Sequence, residues 1–97
     1  MTSPLGRPIT ARAPGSICEA LTEARVRSGL SQAAAARLIS AGVRTWGHWE
    51  AGTRAISVNA LELWCTAAVS LGHLRADDAL VCAWVRPAIR DRLKAPA

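Results

Sequence analysis

Residues 32–52 read Q-A-A-A-A-R-L-I-S-A-G-V-R-T-W-G-H-W-E-A-G. Two short helices are written into this stretch. Ser31 stands as the cap of the first, whose body is Gln32, Ala33 to Ala36, Arg37, Leu38 and Ile39, over 32–39. Gly42 breaks it. The second covers 43–51 and stops at Gly52, a residue free to take the left-handed conformation that closes a helix. Ser40, Ala41 and Gly42 alone separate the two. The alanines let a neighbouring helix come close, and Ala36 is the position expected to face the second helix, where a larger side chain would push the pair apart.

Two helices on so short a turn have the layout of a helix-turn-helix. Successive helical residues turn by about 100°, which divides residues 43–51 into two sides. Arg44, Gly47, His48 and Ala51 fall together, with Trp46 and Trp49 opposite. The two indoles anchor the helix to the body by burying a large area. The other side carries a guanidinium, which pairs bidentately with guanine O6 and N7, and an imidazole able to donate to a purine N7 or a phosphate. Gly47 costs about 1 kcal/mol of helix stability relative to Ala, a cost that close approach to a base edge would explain. Val43 and Thr45 flank this side, suited to a thymine methyl and a phosphate. A metal-binding or catalytic role for His48 has little support, because no Cys or His ligand stands near it in sequence and no acid is an obvious partner for it.

Outward from this core, the sequence predicts an all-α fold of five helices with a flexible N-terminal arm. Residues 1–15 hold Pro4, Pro8, Pro14, Gly6 and Gly15, with Arg7 and Arg12 and no acid, and read as a flexible basic arm able to follow a DNA groove. Ser16 and Glu19 have the spacing of a capping box. Ile17, Leu21 and Ala24 follow at helical spacing, and Gly29 ends the first helix. A fourth helix, capped by Ser57, covers 58–71 up to Gly72, with Leu61, Trp64, Cys65, Ala68 and Leu71 on one side. A fifth, capped by Asp77, covers 78–94, with Pro87 set to kink it or divide it. The organisation is thus an arm (1–15), a DNA-binding core (16–75) and a C-terminal helix (76–97). In that last helix Trp84, Val85 and Ile89 are candidates for a homodimer interface. The alternative, that all three serve the chain's own core, is equally open.

The chain has 97 residues and a net charge of +5, from 12 basic and 7 acidic residues. Every basic residue but Lys94 is arginine, the side chain suited to planar contacts with phosphate and guanine. A small basic domain fits a polyanionic partner. Cys18, Cys65 and Cys82 form no C-x-x-C pair, so neither a zinc site nor a disulfide framework is expected. No signal peptide and no membrane-spanning run is visible, which points to the cytoplasm. No carboxylate pair, nucleophile–base set or phosphate loop appears, so neither an enzyme nor a cofactor or small-molecule ligand is expected.

The segments G-L-S-Q-A-A-A-A-R-L at 29–38 and R-T-W-G-H-W-E-A-G at 44–52 resemble the Cro/repressor-like (XRE-type) helix-turn-helix family. Within it they are most similar to compact phage and mobile-element regulators, including anti-CRISPR-associated autorepressors. The resemblance implies a sequence-specific repressor that binds double-stranded DNA at an inverted-repeat operator as a homodimer and controls its own operon. Val43, Arg44, Gly47 and His48 would face bases. Gln32, Thr45 and Arg54 would contact phosphates, and Glu50 would be structural, bonded to backbone or to a nearby Arg. Two residues depart from the family pattern. Ser40-Ala41-Gly42 replaces the usual Gly-Val-Ser turn, and Gly47 stands where a polar base reader is usual. Two other functions share these motifs: the antitoxin of a toxin–antitoxin pair, and a protein-interaction module with a degenerate helix-turn-helix.

Overall fold

The computed structural model describes residues 14–94, so the arm read over 1–15 lies, but for its last two residues, outside the described residues. The described chain is all-α: α1 Pro14–Ser28, α2 Gln32–Arg37, α3 Val43–Ala51, α4 Val58–Ser70, α5 Ala79–Trp84 and α6 Pro87–Lys94. The described residues form six helices where the sequence predicts five. Pro87 divides the C-terminal segment rather than kinking it, because proline suits the first turn of a helix and cannot donate within one. Val85, just before the break, is extended (φ −90, ψ 135).

Three other expectations are corrected. Helix α1 already runs at Pro14, so Ser16 lies inside its first turn and is not the cap. The cap of α5 is Asp78, whose carboxylate accepts from the Leu80 amide (3.0 Å). Asp77, the predicted cap, is exposed and pairs with Arg75 (2.8 Å). Finally, α2 ends at Arg37 and not at 39. Its last turn tightens, with the amides of Leu38 and Ile39 donating to the carbonyls of Ala35 and Ala36 (3.2 Å each).

The turn between α2 and α3 then closes in a Schellman arrangement. The Ser40 amide donates to the Arg37 carbonyl (3.2 Å) and the Ala41 amide to the Ala36 carbonyl (2.9 Å). The residue at the centre of such a closure takes positive φ, and here it is Ser40, at φ 56. No other non-glycine residue among those described does so. This locates the departure from the family turn: serine occupies the position where glycine meets no steric penalty. Gly42 then caps α3, and Gly52 (φ 82) terminates it, so α3 keeps the bounds its sequence predicts.

The core is built around two buried indoles, Trp46 of α3 and Trp64 of α4, with ring centroids 5.2 Å apart. Leu21 and Ala24 from α1, Ala35 and Ala36 from α2, and Leu61, Cys65 and Ala68 from α4 surround them. Leu80, Val81 and Val85 belong to the same core. Two ion pairs fasten the C-terminal part to it. Arg27 of α1 grips Asp78 through two hydrogen bonds (2.8 and 3.0 Å). Glu62, 5% exposed, accepts from the Arg86 guanidinium (2.7 and 2.8 Å) and from the Arg86 backbone amide (3.0 Å). Those bonds from Arg86 hold the Glu62 carboxyl below its ordinary pKa.

Ala36, expected to face α3, is buried, and α2 packs onto α3. Because Ala36 is 1% exposed, Ala36→Leu should overpack this contact at a cost of about 1–3 kcal/mol. The measurement is the urea midpoint; a midpoint equal to wild type would show that the α2–α3 contact has slack.

Candidate nucleic-acid interface

Helix α3 is fixed to the body from one side. Trp46 is fully buried and meets Trp49 edge-on, with centroids 5.6 Å apart. Trp49 is only partly buried and packs against the core. The orientation of the helix is set further by Glu50, whose side chain is 7% exposed. Its carboxylate accepts from the Arg25 Nε on α1 (2.5 Å), the Gln32 Nε2 on α2 (2.9 Å) and the Trp46 Nε1 on α3 (2.5 Å). One carboxylate thereby ties together three helices. Desolvation pushes this carboxyl upward, but the hydrogen bonds from Arg25, Gln32 and Trp46 outweigh it, and its pKa lies below the ordinary value. Arg25 also donates to the Leu30 carbonyl (2.9 Å), which bridges α1 to the entry of α2.

With that side committed, the opposite side of α3 is left to solvent. Val43 and Arg44 are exposed, while Gly47 and His48 are partly exposed. Among the described residues, Arg44 forms no ion pair, and neither do Arg37 and Arg54. Between residues 24 and 61 the one acid in the sequence is Glu50, and it is buried and fully engaged. The helix-turn-helix region therefore presents three exposed guanidiniums with no exposed acid in the same stretch of chain. Such a surface attracts a polyanion.

Gly47 is not required by the fold. A Cβ built there meets nothing nearer than the Gln32 Oε1, at 4.0 Å, and the backbone there is ordinary helix. The helix-weakening effect of Gly47 is thus not offset by any packing within the chain. His48 is held by a neighbour. Its Nδ1 lies 2.7 Å from the Thr53 Oγ1, just beyond the end of α3, which leaves the Nε2 edge as the one not engaged.

Among the residues assigned to phosphate, Arg54 is exposed and Thr45 is partly buried. Gln32 is placed differently from a free phosphate ligand, since its amide nitrogen already donates to Glu50, which leaves its second N–H for another acceptor. At the proposed dimer surface, Val85 is 4% exposed and enclosed by the chain's own core, whereas Trp84 and Ile89 are partly buried against it. Three residues of this region escape the sequence reading. Thr53 and Arg25 act through contacts that local spacing does not reveal. Arg37 had a visible signal, as the one charged residue on α2.

The sequence profile of the helix-turn-helix domain family matches residues 18–80, which span most of α1, all of α2 to α4 and the start of α5. No curated protein and no solved structure matches the chain. No helix among the described residues is long and apolar enough to cross a membrane.

Proposed function

The chain belongs to the helix-turn-helix domain family, and from this premise we propose that it is a sequence-specific transcriptional repressor that docks α3 in the major groove. The observation that carries this reading is the division of α3 into two sides. One is locked by Trp46, Trp49 and Glu50; the other offers Arg44, His48 and a glycine that the fold does not need. Arg44 pairs with a guanine, and Val43 meets a thymine methyl. Gly47 lets the helix backbone approach the base edges. Arg54, Thr45 and the second N–H of Gln32 grip phosphates on either side of the reading helix.

The chain binds an inverted repeat as a homodimer, with half-sites centred about 34 Å apart, one helical turn of DNA. Bound across a promoter, such a dimer excludes polymerase and no catalytic chemistry is needed. The resemblance to compact phage and mobile-element regulators, some of them anti-CRISPR-associated, supports control of its own operon.

A footprint on the DNA upstream of its own gene tests the proposal, with protection of two half-sites as the expected outcome. Arg44→Ala should weaken operator binding by about 1–3 kcal/mol and relax the preference at one base pair of each half-site. An equal loss on operator and random DNA would reassign Arg44 to the phosphates. Binding should also fall steeply with salt, because each phosphate neutralised releases counterions. Affinity that does not change with salt would exclude nucleic acid as the partner.

A further inference from the structure

Helix α4 shows solvent a side without charge. The sole ionisable side chain with a charge at neutral pH in Val58–Ser70 is Glu62, and it is buried under Arg86. The exposed positions are Val58, Asn59, Leu63 and Ser70, with Leu71 at the cap, and Thr66 and Ala67 between them are partly exposed. Leu63 is 56% exposed, and Leu71, expected from its spacing to share the apolar side of Leu61 and Trp64, is 61% exposed at the C-cap, beyond the last residue of α4. Helix α5 is also uncharged, but its exposed residues are only Ala79, Cys82 and Ala83. Exposed leucines on a neutral helix side, in a chain with one charged residue in five, form the kind of surface that a partner can cover.

The order of the residues points to the occupant. Leu63, Ala67 and Leu71 follow one another at intervals of four and form a single i±4 ridge. The ridge is symmetric about Ala67, a small residue flanked by equal leucines. Two such ridges crossing antiparallel about a twofold axis at Ala67 set each Leu63 against the Leu71 of the other copy. The alanines at the centre allow the helix axes to approach, and ridges of this kind interdigitate at about −50°. A chain with net charge +5 meets its own copy at least electrostatic cost through the side that carries no charge. A twofold contact uses the same patch on both copies, which this ridge satisfies.

We propose that the exposed side of α4 is the homodimer interface, in antiparallel register with Leu63 facing Leu71 of the second copy. This contact lies on α4 and not on the C-terminal helices, where Val85 is already enclosed. It supplies the dimer on which the operator-binding reading rests, but is measured without DNA.

The full chain is examined by sedimentation equilibrium, with wild type expected to be dimeric. Leu63→Glu and Leu71→Lys should each raise the dimer dissociation constant by about 100-fold or more, since each substitution enters the interface twice. The double variant L63E/L71K should dimerise more tightly than either single variant, because each glutamate then faces a lysine across the axis. Within one chain these two positions lie about 12 Å apart along the helix, so rescue reports the intermolecular register. Both side chains are exposed, and circular dichroism with thermal melting checks that the fold is kept. Should a variant fail to fold, Ala67→Cys in a Cys82→Ser background reads the same axis through an intermolecular disulfide on mild oxidation. A monomeric wild type, dimeric single variants, no rescue, or no disulfide at 67 would each overturn the proposal. A wild-type dimer that disappears in L63E yet protects no DNA would instead overturn the operator reading. Protection of an inverted repeat by an L63E dimer would overturn the interface alone.

Discussion

Trp64→Ala is expected to destabilise the protein by about 3–5 kcal/mol, a large part of the roughly 5–15 kcal/mol that holds a domain of this size folded. Two effects combine. The indole is fully buried and packs on Trp46 of α3, so its removal leaves a cavity at the centre of the core. Its Nε1 also donates to the Ala35 carbonyl (3.1 Å), a bond that joins α4 to α2. Trp64→Phe should cost less. It keeps most of the ring volume and leaves the Ala35 carbonyl with the Leu38 amide as a donor. Trp49→Ala, at a partly buried site, should cost least of the three. Urea unfolding gives the order directly, provided the m-value is unchanged. A Trp49→Ala loss equal to that of Trp64→Ala would show that the core extends under Trp49.

The residues that define α3 were legible because their signals are local. Gly42 and Gly52 bound it, and the spacing of Trp46 and Trp49 divides its sides; all of this lies within eleven residues. The caps Ser31 and Ser57 were legible for the same reason. What local patterns did not reveal are the long-range partners. Nothing near Glu50 in sequence points to Arg25, which is 25 residues away, and nothing near Glu62 points to Arg86. The fate of Pro87 also depended on distant groups. Glu62 accepts the Arg86 backbone amide ahead of the proline, which satisfies the chain where the helix divides. Val85 shows a related limit, since an apolar residue at helical spacing looks the same whether it fills its own core or a partner's. The turn was legible in length but not in conformation. Ser40 adopts positive φ because the Schellman closure requires it there, against the preference of the residue itself.

Glu50→Ala should destabilise the protein by about 3–5 kcal/mol, because it strands a largely buried guanidinium without its partner. The Arg25 side chain is 17% exposed. The substitution also removes the acceptor of Gln32 Nε2 and Trp46 Nε1, so three donors on three helices lose one common carboxylate. Replacing the pair together, as Arg25→Met with Glu50→Leu, should recover part of the loss, since no charge is then left unpaired. Full recovery is not expected, because the Trp46 and Gln32 donors still lack an acceptor. The same carboxylate makes stability depend on pH. The carboxyls of Glu50, Glu62 and Asp78 all titrate below their ordinary values in the folded state. Their contribution is therefore complete above the ordinary carboxylate range, near pH 4, and is lost as pH falls through the lowered folded values. Acid unfolding followed by tryptophan fluorescence should show this loss, with Glu50→Ala flattening the acid limb. An acid limb of wild-type steepness in Glu50→Ala would mean that the clamp between α1, α2 and α3 does not act through the charge of Glu50.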